Sequence, residues 1–254
     1  MQFNSHATNQ DLVSDIKFWL TGSATGTIDY GINDITRNVN KWYDREVSLI
    51  MMADGRWEFD DNNHATLPIG TTDLVAEQAD YEITASSFLD ILRVEIKDSD
   101  GNGVFLHPIS YADKTGVAMT EWMKTSGTPQ YYDKVGNSII LYPTPNYASA
   151  AGLKVYFKRN VSHFVVTDTT KEPGFNPLYH RLLSIGASSD YCIPNGLTQR
   201  LKTLESEIIK TETAMVGYYS SRSKDDHPRI SLRKENIIIG KNAVGGGGEK
   251  SINF

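Results

Sequence analysis

Cysteine is nearly absent from this 254-residue chain, which has Cys192 alone. A single thiol closes no internal disulfide and anchors no thiolate zinc cluster, so packing must hold the fold, and a reducing compartment suits it. Long apolar runs are missing as well. No stretch approaches the roughly 20 residues that span a bilayer, and Met1-Gln-Phe-Asn-Ser-His6 has neither the basic nor the apolar region of a secretory leader. The chain is expected to be neither inserted in a membrane nor exported by that route. Positive charge is in deficit: 25 Lys and Arg against 31 Asp and Glu leave a net charge of -6. Gripping nucleic acid through its phosphates needs clustered cations, so that class of partner is disfavoured, whereas DNA can slide past an acidic wall.

Catalytic and metal-binding patterns are equally sparse. The histidines, His6, His64, His107, His163, His180 and His227, are scattered, with no pair at the helical spacing of a metal site. His180, flanked by Tyr179 and Arg181 on a predicted helix, reads better as a packed or solvated residue than as a functional one. Cys192 lacks the local signature of a nucleophile and there is no Gly-x-Ser-x-Gly. The turn Asp98-Ser-Asp100-Gly-Asn102-Gly103 matches the first half of a calcium loop. Its twelfth position is Ile109 where a bidentate glutamate is required, and the residue types are those of a hairpin loop. Gly26-Thr27 lacks the lysine of a phosphate loop, and Asn160-Val-Ser162 is a glycosylation acceptor without a secretory context. The expectation is a protein that is not an enzyme and that uses no cofactor or metal.

What is present is an ordinary globular composition, 39% apolar and 22% charged, with a mean hydropathy of -0.37 and enough length to bury a core. A first helix is predicted from about Asn9 to Leu20, capped by Thr8 with Asp11 three residues on, its inner face Leu12, Ile16, Trp19 and Leu20, stopped by Thr21-Gly-Ser23. A second begins after a cap at Thr27. There Ile28, Ile32, Ile35, Val39, Trp42, Glu46 and Leu49 alternate steps of four and three, a narrow seam broken at Glu46, with Asp34, Arg37, Asn38, Lys41 and Arg45 opposite and Asp54-Gly55 as its end.

The period then changes to two. Trp57-Glu-Phe59, Tyr81-Glu-Ile83, Ile91 to Ile96 and Val104-Phe-Leu106 read as strands of an antiparallel meander, with Ala112 to Lys124 a helical excursion placing Trp122 and Met123 inward. Gln130 to Lys134 and Ser138 to Tyr142 form a hairpin about Gly136-Asn137, fenced by Pro129, Pro143 and Pro145.

Helical spacing returns at Asn176-Pro177, a cap followed by proline, with Leu178, Leu182, Ile185 and Ser189 on one face, Tyr179, Leu183 and Gly186 beside it, and Gly186, Ala187 and Ser188 small enough to admit a neighbouring helix. After the break at Pro194-Asn-Gly196, a last helix from about Thr198 to Tyr219 carries the seam Leu197, Leu201, Leu204, Ile208, Thr211, Met215 and Tyr218. Its exposed face holds Lys202, Glu205, Glu207, Lys210 and Glu212. Two seamed helices from opposite ends of the sequence are natural partners. Beyond Ser220 the composition is that of a flexible tail with apolar patches: Ile230 and Leu232, Ile237, Ile238 and Ile239, then Ile252 and Phe254. Such patches either dock on another subunit or fold back on the chain's own core.

The class is therefore α+β, in which N- and C-terminal helices form a bundle around an inserted antiparallel β domain and an extended C-terminal tail follows. The divisions are 1–55 and 176–220 for the helices, 56–175 for the β insertion and 221–254 for the arm. The hairpin carries Gly127, Pro129 and Tyr131, then Leu141, Tyr142, Pro143 and Pro145, followed by the strand Leu153-Lys-Val-Tyr-Phe157. In that order, after a tryptophan-led Trp57-Glu-Phe59, the chain resembles the head-to-tail adaptor (head completion) proteins of tailed bacteriophages, most of all those of short-tailed phages. The resemblance implies a structural virion protein at the head-to-tail junction, assembled in the host cytoplasm as a homo-oligomeric, dodecameric ring. Such a ring binds the portal protein, extends the channel through which double-stranded DNA passes without specific binding, and offers a platform to the tail tube or nozzle. On it the arm residues Ile230, Leu232, Ile237, Ile238, Ile239, Ile252 and Phe254 would engage the portal. Two other readings stand beside it: a tail-associated receptor- or carbohydrate-binding module using exposed Tyr131, Tyr132, Tyr142 and Tyr147, and a hydrolase.

Overall fold

The structure, a computed structural model, describes residues 1–5, 9–53, 59–84, 88–109 and 123–221. Helix α1 is Leu12–Thr21. Its cap is Asp11, not Thr8, which lies outside the described residues: the Asp11 carboxylate accepts from Ser14 N at 2.9 Å and Ser14 Oγ at 2.8 Å, serving the free amides of the first turn. Gly22, at φ 84, closes the other end in the left-handed conformation that only glycine adopts without cost. The break predicted there is real.

Helix α2 is Ile32–Ala53, starting five residues after the expected cap at Thr27. Ile28 and Tyr30 pack on the core from the connection instead, the Tyr30 hydroxyl accepting from Asn38 Nδ2 at 2.5 Å and donating to Ala187 O. Burial drives the Tyr30 phenol up to about 12. That contact buries Asn38, which the sequence pattern had placed on the polar face. The buried stripe is wider than the expected seam: Tyr43, Val47 and Ile50 join Ile35, Val39, Trp42 and Glu46. Two of the expected polar positions do point outward, Lys41 pairing with Asp190 at 2.9 Å and Arg45 with Glu212 at 3.0 Å.

Among the described residues nine strands follow: β1 Ile69–Leu74, β2 Asp80–Glu82, β3 Phe88–Lys97, β4 Gly103–Pro108, β5 Ser126–Gly127, β6 Tyr131–Val135, β7 Ser138–Tyr142, β8 Thr144–Pro145 and β9 Ser149–Arg159. Seven form one sheet in the order β1-β9-β3-β4-β6-β7-β2, and β5 pairs with β8 separately. This corrects the simple meander. Within the seven-stranded sheet all neighbours are antiparallel except β4 and β6, which run parallel through His107, Pro108, Tyr131 and Tyr132; the β5–β8 pair is parallel too. The longest strand, β9, returns to lie between β1 and β3, where both of its edges are hydrogen-bonded. Short β2 ends up beyond β7. Phe59 is not in a strand. It packs edge-on to Tyr219, ring centroids 6.5 Å apart, and so belongs to the helical core; Trp57 and Glu58 lie outside the described residues, as do residues 112–122 of the expected helical excursion. The sheet's inner face buries Leu74, Tyr81, Val94, Ile96, Leu106, Ile139, Leu141 and Leu153.

After β9, Val161, Phe164 and Phe175 turn into the helical core. Asn176 caps a 3-10 turn, Pro177–Tyr179, through Leu178 N, and the α-helix proper, α3, is Arg181–Cys192. The change of phase leaves Leu178 outside, 75% exposed, against expectation. Every residue of α3 from Leu182 to Ser189 is buried, because α3 lies against α1, α2 and the last helix, α4, Thr198–Ser221. α4 buries Leu204, Ile208, Met215 and Tyr219, while Tyr218, the expected seam residue, is 39% exposed. A 3.6-residue helix drifts about 20° per heptad against a 3.5-residue repeat, and over this length the drift passes the inner position to Tyr219.

Gly186 shows how closely α2 and α3 approach. A Cβ there would sit 2.1 Å from Cδ2 of Trp42. Gly186→Ala should therefore lower stability by about 2 kcal/mol, because overpacking outweighs the gain of about 1 kcal/mol in helix propensity; urea unfolding of the pure variant checks it.

Candidate functional site

The polar residues of the molecule gather where the chain leaves the helices for the sheet and where it comes back. Asp60 and Asp61 stand before β1, Arg159 ends β9, and Ser162 and Gly174 follow it. Arg159 is buried and grips Asp60 with two prongs, Nε to Oδ1 at 2.8 Å and a terminal nitrogen to Oδ2 at 2.6 Å, and also donates to Thr66 O. Such a planar fork is the strong form of an ion pair.

Asp61 is 3% exposed and accepts four hydrogen bonds: from Tyr43 Oη at 2.6 Å, Ser162 N at 2.9 Å, Asn63 N at 2.8 Å and Asn63 Nδ2 at 2.9 Å. The Tyr43 hydroxyl in turn accepts from Gly174 N at 2.6 Å, and burial together with the Asp61 carboxylate pushes that phenol far above its ordinary range. Gly174 is obligatory here, since a Cβ would overlap Asp61 Oδ1 at 1.7 Å. These bonds tie α2, the segment entering the sheet and the chain leaving it into one node. Its chemistry is that of a fastening, not of a catalyst, because every lone pair of Asp61 that points inward is already engaged.

A second polar feature lies in the seam of α2 and α4. Glu46 is wholly buried and neither of its oxygens meets a donor. Glu212 stands beside it, held by Arg45, whose guanidinium also lies 4.7 Å over the Trp42 ring. Burial, then the charge and the carboxyl of Glu212, push Glu46 up to about 8, with Arg45 opposing.

The hairpin motif forms as expected, with Gly136 at φ 61 in the turn. Pro129, Leu141, Tyr142 and Pro145 are buried, and Gly127, Tyr131 and Pro143 half-buried, with Gly127 and Pro145 meeting in the β5–β8 pair. Tyr142 is 5% exposed, Tyr131, Tyr132 and Tyr147 are only partly so, and the Tyr147 hydroxyl donates to Lys97 O. Of the four tyrosines proposed for sugar stacking, Tyr142 is thus buried and Tyr132 and Tyr147 pack on the core of the sheet. Asp98 behaves as a turn residue: its Oδ1 accepts from Asp100 N and Asn102 N, and those amides hold its carboxyl below the usual range. His180 is buried, its Nε2 bonded to Phe175 O and its ring lowered in pKa by that burial, the mark of a packed neutral imidazole. The arm residues Ile230, Leu232, Ile237, Ile238, Ile239, Ile252 and Phe254 lie outside the described residues.

Asp61, Arg159 and Tyr43 were missed at the level of sequence. Asp60-Asp-Asn-Asn63 has the composition of a turn, and only the distance spanned, to Gly174, reveals its role. The fastening predicts that Tyr43→Phe costs about 2 kcal/mol and Asp61→Ala about 3 kcal/mol, since each strands buried donors. A double-mutant cycle by urea unfolding should show the two to be strongly non-additive.

A family model described as SU10 adaptor protein matches residues 7–190, from ahead of α1 through the whole sheet and nearly all of α3. Comparison with curated proteins gives no match.

Proposed function

The chain belongs to the SU10 adaptor protein family of phage head-to-tail adaptors, and from that premise we propose that it forms a ring beneath the portal, extends the DNA channel and presents a docking platform to the tail. The coarse role, a structural protein of the virion, follows from membership. The observation that supports the finer reading is the span of the match, which runs in order over α1, α2, the sheet and nearly all of α3 and so is not carried by one motif.

In the ring, helices of adjacent copies stand side by side, and the acidic balance of the chain keeps passing DNA from adhering to the wall. The arm from Pro228 to Phe254, which follows α4 in the sequence, docks on the portal, and its isoleucines supply the apolar area. The burial of Tyr142 and the engagement of Tyr147 remove the support for a carbohydrate-binding module.

Light scattering after size exclusion, with and without portal protein, tests the ring: a closed homo-oligomer that is portal-bound supports it, and a monomer indifferent to portal refutes it. A chain ending before Pro228 should remain folded and soluble yet fail to attach. Undiminished attachment by that truncated form removes the arm from the account.

A further inference from the structure

Among the described residues, Glu46 is a buried carboxyl group without a donor for either oxygen, at a position in the α2–α4 seam where a sequence of this pattern calls for an apolar side chain. The group that acts on it from α4 is another carboxyl, Glu212, which is itself only 16% exposed. Two ionised carboxylates at that depth repel, and they form a hydrogen bond only when a proton lies between them. Arg45 does not resolve the conflict. Its Nε and a terminal nitrogen both go to Glu212 Oε1 at 3.0 Å, and its side chain is half in solvent.

We propose that Glu46 and Glu212 share a proton that latches α4 onto α2, the seam being closed while the proton is held and loosened when it is lost. The other ionisable groups on the elements around the pair are already committed. On α3, Asp190 takes Lys41 Nζ and Trp42 Nε1. On α4, Glu207 pairs with Lys210 at 2.7 Å. In the segment before the sheet, Asp61 takes its four donors, and Tyr219, toward the end of α4, accepts from Asn176 N. Arg45 is left as the cation that favours ionisation, and burial with the Glu212 charge outweighs it.

The sign of the pH dependence follows. The folded chain keeps the proton up to about pH 8, whereas an unfolded glutamate releases it near 4.5. The pair's contribution is whole below the lower value and drains away as pH rises to the upper one. The latch acts on the free chain and does not rest on the ring reading.

Urea unfolding of the full chain from pH 5 to 9 tests it. In the native sequence the unfolding constant should rise about tenfold per pH unit, the slope of one proton, from about pH 6.5, below which the lowered pKa of buried His180 opposes it, and flatten above pH 8. Glu46→Gln, which keeps the shape and a donor without the charge, should remove that slope and unfold later than the native chain at pH 9; Glu212→Gln should reduce it. Parallel profiles for native and Glu46→Gln chains overturn the proposal. Should the variants fold poorly, carbon-13 NMR of the native chain's glutamate carboxyls decides: a resonance titrating near pH 8 supports the shared proton, and glutamates all titrating in the ordinary range overturn it. Amide exchange in α4, compared with α1 at each pH, should accelerate above pH 8 in the native chain alone, and equal protection in both helices at pH 9 overturns the loosening.

Discussion

An insertion imposes one constraint before any other: its two ends must be brought together and kept there. Here Asp61 and Gly174 meet across more than a hundred residues of intervening chain, and closing a flexible loop of that size costs about 4 kcal/mol in chain entropy. The node of Tyr43, Asp61, Ser162 and Gly174 offsets it with short bonds, of which those of Tyr43 to Asp61 and Gly174 are shielded from water. A polar fastening has an advantage over an apolar one at this point. Each donor fixes a direction as well as a distance, so the entering and leaving segments are set at one angle to α2, and the Arg159 fork on Asp60 repeats that fixation one residue earlier. The two hydrophobic cores, one among the helices and one on the inner face of the sheet, can then be packed separately and still hold a fixed relation.

The helices were legible because their signals are local. Asp11 through Gly22, Asn176-Pro177 and Pro194-Asn-Gly196 are stops and starts written within a few residues, and the small run at Gly186 announced the close approach that Trp42 makes. Errors arose where a phase was set elsewhere. Leu178 faces outward because the turn ahead of α3 is wound more tightly than an α-helix, and Tyr219 replaces Tyr218 because heptad counting drifts over a long helix.

Strand existence was also legible for β2, β3, β4, β6, β7 and β9, whereas strand order was not. Alternation says which residues share a face, as Val94 and Ile96 do with Leu106 and Leu153. It says nothing about which strand stands next to which. β1, Ile69-Gly-Thr-Thr-Asp-Leu74, went unseen altogether, since an edge strand with little apolar content has no alternation to read. Phe59 illustrates the converse: its alternation with Glu58 and Asp60 looked like a strand, while the aromatic ring had a place against Tyr219.

The two polar features divide the molecule into parts of unequal firmness. The node at Asp61 is satisfied at every inward atom, so disturbing it exposes unmatched donors at once, and the sheet has no inexpensive way to leave the helices. The seam of α2 and α4 is held by Leu204, Ile208, Met215 and Tyr219 around one unmatched acid. Cooperative units of a protein open in order of their local stability, and on the shared-proton proposal the seam that holds α4 loosens before the node at Asp61 does.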